Sequence, residues 1–541
     1  MVHDRPVFGG NASSEIRMWL CGARGENNRE TGIIEEIQLE NLHRNPRQNY
    51  SIWDSILYEK VRFEPNIQLF LNCSCNNAVT SNSKIENIKC WQLTSETWHI
   101  IKAKYFADCS GDSILAPLCG ADFRYGREAA EEFDEDIAPA DSDNNTMGMS
   151  CLIQARQTNS PQKFIPPSWA YVYESDDCLP NRHHGFANED NFWWMELGGT
   201  RDTIHDTEEI RDDLLKVAFG VWDHIKNRGA HGAENWELDW VGFLPGKRES
   251  RRLIGDHVLT QNDVRSGGQF KDIIAYGGWP MDDHHPKGLD YPGKPTIFHS
   301  APSPFGIPYR CVYSKNIENL FFAGRNISAT HVAMSSTRVM ATCATLGQAV
   351  GTAAAIANQF SLTPRQVGSG KIELLQQTLM QDDCYLPGLK REISNIARHA
   401  KLTASSGLPE NLRNGIDRPS GEESNSWQGG VGDWVEYELG NDQKIRNIRL
   451  VFDSNLNRQI KNSRCSWPLN YTDAKIPPTL VVDFDIEVKR QDGSWNNIAQ
   501  IKDNYKRLVN IKCNHETSAI KLTIRRTHNN KTAEIFAFDM E

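Results

Sequence analysis

A short apolar strand that runs into a glycine turn and then into a long small-residue helix limits the fold more than any other part of this sequence. Residues 320–323 (LFFA) predict a buried strand, Gly324-Arg325 a turn, and the stretch from about Thr337 to Asn358 a helix. Glycine at a strand end admits a phosphate or sugar, and a helix N-terminus offers unpaired N–H groups. Core packing explains the Gly and Ala of the helix, though not the polar string before it.

Three further segments combine glycine with small polar residues at predicted turns: 8–15, 107–112 and 305–310. The first is, by itself, an ordinary helix N-cap with a turn before it. The second ends a predicted strand in a small-residue turn, which is where open α/β sheets place ligands. Each signal is weak alone, and their order along one chain carries the information.

The rest of the chain divides into regions of different character. At 541 residues it is too long for one core. Residues 150–300 are rich in Trp, His and charge and predict an inserted module, in which Ile210, Leu214, Val217 and Val221 recur at helical spacing. Beyond about residue 393, apolar and polar residues alternate with period two, and Asp492-Gly493 is typical of a hairpin turn. The last 150 or so residues therefore predict an antiparallel β-sandwich.

The four small-residue segments together read GGNASSEIR, DCSGD, GIPYR and NLFFAGRNISATHVA followed by STRVMATCATLGQA. They are similar, over roughly residues 1–390, to FAD-dependent oxidoreductases with a two-dinucleotide-binding-domain flavin fold. The resemblance implies an α/β, Rossmann-like FAD domain (1–130 and 305–360), an inserted α+β substrate domain (131–304), connecting helices (361–392) and the sandwich (393–541). It implies these cofactor-binding residues: Asp4, Gly9, Gly10, Asn11, Ser13, Ser14, Asp112, Gly324, Arg325, Thr337 and Arg338.

The sequence departs from that family at its beginning. Members start with a strand, G-x-G-x-x-G and a helix, whereas this chain has no G-x-G-x-x-G. The segment from Val2 to Gly10 is similar to the second strand of that fold and its turn, which puts Asp4 (or His3 before it) at the ribose position. We therefore expect the first β-α unit, about 30 residues, to be missing and FAD binding to be impaired.

Candidate catalytic residues follow from position and charge. His331, seven residues beyond the Gly324 turn, could donate or accept a proton, or be a buried hydrogen-bonded histidine. Arg251 lies in the densest basic cluster, 246–252, which could bind a carboxylate or pair with nearby acidic residues. We expect solvated loops both for the acidic stretch 127–145 and for 282–285 (DDHH), where too few further ligands follow for a metal site. No metal site is predicted.

Composition narrows the partners and the compartment. The formal net charge of −11 argues against nucleic acid and anionic membranes, and the most apolar stretch, 344–357, predicts a buried helix rather than a membrane span. Thirteen cysteines without a disulfide framework favour reduced thiols and a cytoplasmic location, although any export signal would precede the missing strand. Heterodisulfide reductase A-like relatives include proteins with a [4Fe–4S] cluster, which the absence of C-x₂-C-x₂-C-x₃-C makes unlikely here.

The C-terminal region is similar to galactose-binding-like, discoidin-type sandwiches, which often hold sugars. Its tryptophans Trp427, Trp434, Trp467 and Trp495 are candidate stacking platforms, or core residues. The sequence thus predicts hydride transfer between FAD and a small molecule, a sugar or an organic acid. The alternative is a non-catalytic carbohydrate-binding or scaffold protein, a flavin-fold remnant that no longer holds FAD.

Overall fold

A computed structural model describes residues 1–185, 191–458, 464, 466–529 and 531–541. The chain forms two compact units. The first contains Met1–Arg24, Arg47–Ile372 and Ile460–Asp473, and the second contains Gly25–Pro46, Glu373–Gln459 and Ala474–Glu541. The first mixes helices with small sheets and the second is largely antiparallel β-structure, so the expected mixed α/β class with a C-terminal β-sandwich is confirmed.

Two parallel strands in the first unit bring distant segments of the chain together. Phe106–Asp108 pairs with Leu320–Phe322, with Phe106 opposite Leu320 and Asp108 opposite Phe322. All three residues of Leu320–Phe322 are buried, as their apolar character predicts. Because parallel strands end at the same edge, the turns that follow Asp108 and Phe322 face the same region.

The remaining strands of the first unit form short sheets, which are antiparallel except where Ser466–Trp467 pairs in parallel with Ile153–Gln157. Three of them, Cys73–Ser81, Lys84–Gln92 and Thr97–Lys102, form an antiparallel meander. The other strands of this unit are Phe123–Arg124, Met149–Ser150, Ile153–Gln157, Glu196–Leu197, Trp236–Val241, Gly246–Lys247, Arg252–Leu253, Ile273–Gly277, Met281–His284, Thr296–His299, Phe305–Pro308 and Ser466–Trp467.

The helices of the first unit pack between these sheets. They are Tyr50–Arg62, Leu115–Cys119, Ala130–Phe133, Thr207–Asp223, Gln261–Arg265, His331–Thr337, Met340–Phe360 and Pro364–Gly370. Helix Thr207–Asp223 buries the predicted apolar face, and a π-helical turn, His224–Arg228, follows it. Gly229, which caps that turn, has an extended backbone with φ −132°.

The long small-residue helix begins at Met340, three residues later than expected. The short helix His331–Thr337 precedes it. Val339, whose backbone is extended (ψ 144°), separates the two helices. Among the described residues, Met340–Phe360 is the helix long and apolar enough to cross a membrane by length and composition. Half of its apolar window is buried inside the protein, as a core helix requires.

The second unit is built around a sheet of long, bent antiparallel strands. Trp434–Phe452 and Leu508–Thr527 pair along most of their length, and irregular register between Glu438 and Gln443 lets the pair bend. The other strands are Lys401–Ala404, Trp427–Gly430, Val481–Lys489, Trp495–Ile501 and Thr532–Met540, and the helices are Ile33–Arg44, Ile372–Gln381 (which starts at the unit boundary) and Asn395–His399. Asp492-Gly493 turns between Val481–Lys489 and Trp495–Ile501, as predicted.

The tryptophans of the C-terminal region have different environments. Trp427 is buried in the core, and its Nε1 donates to the carbonyl of Ser406 at 2.8 Å. Trp467 belongs to the first unit, because its strand pairs with Ile153–Gln157. Trp495 is half-buried, with Lys521 Nζ 4.1 Å from the ring centroid. Trp427 is therefore a core residue, and Trp467 is not part of the sandwich.

Trp427→Phe is expected to lower the free energy of unfolding of the second unit by about 1–2 kcal/mol, because it removes this hydrogen bond and leaves unfilled core volume. Trp495→Phe serves as the control and should cost less than about 1 kcal/mol. Urea unfolding followed by circular dichroism compares the two variants. Equal losses would show that Trp427 does not support the core in this way.

Candidate functional site

The turn after Phe106–Asp108 places one carboxylate between two cations. Asp112 Oδ1 accepts from Arg325 Nη2 at 2.6 Å and from Ser250 Oγ at 2.7 Å, and Asp112 Oδ2 accepts from Lys247 Nζ at 2.9 Å. Burial opposes ionisation of Asp112, but the charges of Arg325 and Lys247 outweigh it and lower its pKa to about 2. The sequence placed Asp112 and Arg325 near one ligand, and the structure brings them into direct contact.

The backbone beside Asp112 has no room for a side chain. Gly111 has φ +76°, and a Cβ there would lie 2.7 Å from Arg325 Cζ. Glycine therefore serves two purposes here: it adopts the left-handed backbone and lets the guanidinium lie against the turn.

Gly111→Ala is expected to lower the free energy of unfolding by about 1–2 kcal/mol, the cost of a left-handed backbone for a residue with a Cβ. It should also displace Arg325. Gly351→Ala is the matched control: that glycine lies in helix Met340–Phe360 with open space around a Cβ, so alanine there should be neutral or stabilising by up to about 1 kcal/mol. Thermal unfolding of both variants measures the difference, and a Gly111→Ala protein as stable as the control would contradict the close approach.

The Gly9-Gly10 turn reaches the same cluster through Asn11. Gly9 and Gly10 both have positive φ and start a 3₁₀ turn, and Asn11 Nδ2 donates to the carbonyl of Lys247 at 2.9 Å. Helix Tyr50–Arg62 holds the segment in place, since Trp53 Nε1 donates to the Ala12 carbonyl at 3.0 Å. Turns that lie more than 300 residues apart in sequence are thus linked through Asn11, Lys247, Asp112 and Arg325.

Other predicted cofactor residues of the N-terminal segment have different surroundings. Ser13 is buried and its Oγ accepts from the Glu15 N–H, while the Ser14 N–H donates to Asp54 Oδ1 at 3.2 Å. Asp4 is exposed, with its carboxylate 3.9 Å from Arg5 Nε. Within the part of the chain that the structure describes, no contact joins Asp4 to the Asp112 cluster.

Thr337 ends the short helix His331–Thr337 and Arg338 follows it, next to a buried acidic strand. Arg338 Nη2 donates to Asp282 Oδ2 at 3.1 Å, and Asp282 Oδ1 accepts from Thr296 Oγ1 at 2.6 Å. Burial raises the pKa of Asp282, but His284 and Arg338 hold it below its usual range. Asp282 and His284 are buried within Met281–His284, so the expectation of a surface loop at 282–285 is wrong.

His331 lies between two carboxylates. Its Nδ1 is 2.8 Å from Glu249 Oε2 and its Nε2 is 3.2 Å from Asp283 Oδ1. Burial alone would lower the pKa of His331, but these carboxylates raise it to about 10, so both ring nitrogens carry protons at neutral pH. The side chains of His331 and Glu249 are almost fully buried, whereas that of Asp283 is 24% exposed.

The acidic stretch 127–145 is not wholly solvated, contrary to expectation. Glu128 and Glu135 are buried: Glu128 Oε2 accepts from the His331 N–H at 2.8 Å, and Glu135 Oε1 accepts from Thr330 Oγ1 at 2.7 Å. These two carboxylates fix the start of helix His331–Thr337, whose N-terminal N–H groups need acceptors. The high density of acidic residues in the sequence does not show which of them are buried with a partner and which are exposed to solvent.

The arginines of the basic cluster 246–252 form ion pairs with several different carboxylates. Arg252 Nη2 donates to Glu128 Oε1 at 2.8 Å and Arg252 also pairs with Glu249, while Arg248 lies 3.5 Å from Glu196. Pairing with nearby acids, one of the two interpretations of this cluster, is therefore correct for these residues. Arg251 differs: it is half-buried with its guanidinium 5.6 Å from the Phe123 ring centroid, and it makes no ion pair with a described residue.

Several polar atoms around these turns are suited to a polar ligand. They are buried and have no hydrogen-bond partner among the residues the structure describes: Arg325 Nε, Asn326 Oδ1, Ser328 Oγ, Thr337 Oγ1 and Arg338 Nε. Leaving such atoms unpaired costs roughly 1–3 kcal/mol each. A cofactor with phosphate, ribityl hydroxyl and pyrimidine groups supplies both acceptors and donors, so the residues present fit FAD.

Sequence reasoning missed the partners that organise this site. Glu249 and Ser250 lie inside the basic cluster 246–252, where only the basic residues were considered as candidates. Asp283 was expected to lie in a solvated loop. Little in the sequence could have shown this strand, because residues 281–284 (MDDH) do not alternate apolar and polar residues and their extended backbone is fixed by pairing with Thr296–His299.

Comparison with known proteins identifies the family. The family model described as FAD dependent oxidoreductase matches residues 1–379. Solved structures similar to part of this chain include the family 32 carbohydrate-binding module from Streptococcus pneumoniae EndoD (16% identity, 27% of this chain and 99% of that chain covered, TM-score 0.21). The family 32 module of C. perfringens NanJ in complex with galactose is another (10%, 27% and 97%, 0.20).

Both of these matches have low sequence identity and low TM-scores. No curated protein gives a significant match. The family model covers more than half of the chain and includes every turn that meets at Asp112. The chain belongs to the FAD-dependent oxidoreductase family.

Proposed function

We propose that this protein catalyses hydride transfer between FAD and a small organic substrate, a sugar or an organic acid. The observation that carries the proposal is the link between the Gly9-Gly10 turn and the Gly324-Arg325 turn through Asn11, Lys247 and Asp112. When bound, FAD supplies the hydride-accepting group.

The chain's own residues would bind the cofactor by charge and by hydrogen bonds. Lys247 and Arg325 oppose one carboxylate, Asp112, which leaves an excess positive charge suited to a diphosphate. Thr337 Oγ1 and Arg338 Nε, buried without protein partners in the described part of the chain, would bind polar groups of the cofactor. Asp282 orients Arg338 by accepting a hydrogen bond from Arg338 Nη2.

His331 would hold a proton for the reaction. The Glu249 side is buried, whereas the Asp283 side is partly open, so proton exchange would run from His331 Nε2 through Asp283. Arg251 would bind a substrate carboxylate, because its guanidinium stacks on Phe123 and is not used in an ion pair with a described residue.

Anaerobic mixing of the FAD-loaded chain with a panel of sugars and organic acids tests the proposal through the visible flavin band. We expect one substrate class to bleach it. Arg251→Gln should raise KM at least tenfold for carboxylate substrates and leave neutral sugars unaffected. A chain that does not bind FAD but is retained on immobilised sugar would favour the carbohydrate-binding alternative instead.

A further inference from the structure

Four side chains with metal-binding atoms meet in the module that contains helix Thr207–Asp223, away from the sequence motifs discussed above. They are Asp176, His184, His224 and His231, and their ligand atoms all lie within 4.8 Å of one another. Asp176 starts a 3₁₀ turn, His224 starts the π-helical turn after the helix, and His231 follows that turn. Single π-helical turns within helices are uncommon and are often found at functional sites.

The separations of the ligand atoms suit one small cation. From Asp176 Oδ1, the distances are 2.8 Å to His224 Nε2, 3.3 Å to His231 Nε2 and 3.8 Å to His184 Nδ1. His231 Nε2 lies 3.2 Å from His224 Nε2. In a tetrahedral zinc site with bonds of about 2.0–2.2 Å, neighbouring ligand atoms are roughly 3.3–3.5 Å apart. The observed values scatter around this range, so small side-chain movements complete the geometry.

The hydrogen bonds of His224 prepare it as a ligand. Its Nδ1 is 2.8 Å from the carbonyl oxygen of Tyr173, which can only accept, so Nδ1 carries the proton and Nε2 is the ring nitrogen left to bind a metal ion. This Nε2 faces the carboxylate of Asp176 and the Nε2 of His231. A cation between these three atoms would be bound by all of them at once.

We propose that Asp176, His184, His224 and His231 bind one divalent transition-metal ion of the zinc type. Imidazole nitrogens with one carboxylate are a ligand set for Zn²⁺, and four protein ligands make a closed, structural site rather than a catalytic one. The ligands come from two segments, 176–184 and 224–231, so the ion would tie the first segment to the end of helix Thr207–Asp223.

The imidazoles are largely shielded, whereas Asp176 reaches the surface. The side chain of His224 is fully buried and that of Asp176 is 69% exposed. A cavity of about 570 Å³, lined in part by Asp176, His184 and His231, adjoins the cluster. The cavity gives an ion a route to the site and a short path for chelators to remove it.

Titration of the metal-free full-length chain with Zn²⁺ by calorimetry, and with Co²⁺ by visible absorption, tests this site without flavin activity. We expect one ion per chain and the absorption bands of tetrahedral Co²⁺. His184→Ala and His231→Ala should each weaken binding at least tenfold. Asp176→Asn, at a side chain that is 69% exposed, should do the same if a histidine variant fails to fold.

His205→Ala is the matched control. His205 Nδ1 lies 2.8 Å from Asp202 Oδ2 in an exposed pair in the same unit, outside the cluster, so its loss should leave the stoichiometry and affinity unchanged. Absence of saturable Zn²⁺ binding by the wild-type chain would overturn the proposal. Wild-type affinity in His184→Ala, His231→Ala and Asp176→Asn would overturn it too, because the bound ion would then lie elsewhere.

Discussion

Glu249→Gln is expected to lower the free energy of unfolding of the first unit by about 3–5 kcal/mol, the cost of removing one partner from a buried ion-pair network. The Glu249 carboxylate contacts His331 Nδ1 and Arg252, and its Oε2 also accepts from the Met147 N–H at 2.9 Å. A neutral amide leaves the imidazolium and one side of the guanidinium without a buried counter-charge. Denaturant unfolding followed by circular dichroism measures the loss.

Glu208→Gln provides the control for this prediction. Glu208 also pairs with an arginine, Arg211 at 2.6 Å, but its side chain is 72% exposed on helix Thr207–Asp223. Surface pairs contribute less than about 1 kcal/mol, so the control should change stability by about 0.5 kcal/mol or less. Similar losses in both variants would show that burial of the Glu249 network adds nothing.

The second large effect is on the pH dependence of stability. The folded pKa of His331 is about 10, above its ordinary value of 6.5. Between these values the folded state keeps a proton that the unfolded state has lost, so stability falls as pH rises, by up to about 1.4 kcal/mol per pH unit. The contribution of His331 is complete below pH 6.5 and is lost above about pH 10.

His331→Gln removes this titration while keeping a polar side chain of similar length. The free energy of unfolding, measured at several pH values from 6 to about 10, should fall more steeply for the wild-type chain than for the variant. The difference between the two curves reports the titration of His331 alone, because the lysines and tyrosines that titrate in the same pH range contribute to both curves. Parallel curves would mean that His331 is not held as an imidazolium in the folded protein.

Much of this fold could be predicted where local pattern and tertiary structure agree. The Leu320–Phe322 strand, the antiparallel meander and the hairpin at Asp492-Gly493 follow from short-range periodicity and turn residues, which depend on few distant contacts. The proximity of Asp112 and Arg325 followed from the resemblance, which assigned both residues to the cofactor site.

The buried polar networks could not be predicted in the same way. Glu128, Glu249 and Asp282 look like surface residues in the sequence, since carboxylates are usually exposed unless paired. Their partners are contributed by segments far away in the chain, so only the assembled fold shows the pairing. The same reason hides the Asp176–His184–His224–His231 cluster, whose spacing matches no short metal motif.

The most direct test of the account is a titration of the purified chain with FAD, followed by flavin fluorescence, for the wild type and for Arg325→Gln and Arg310→Gln. Arg310 is an arginine of the GIPYR segment that pairs on the surface with Asp272 at 3.0 Å, so it matches the substitution without touching the Asp112 cluster. We expect saturation at one FAD per chain, at least tenfold weaker binding for Arg325→Gln and unchanged binding for Arg310→Gln. A wild-type chain without saturable FAD binding would contradict the proposed cofactor site.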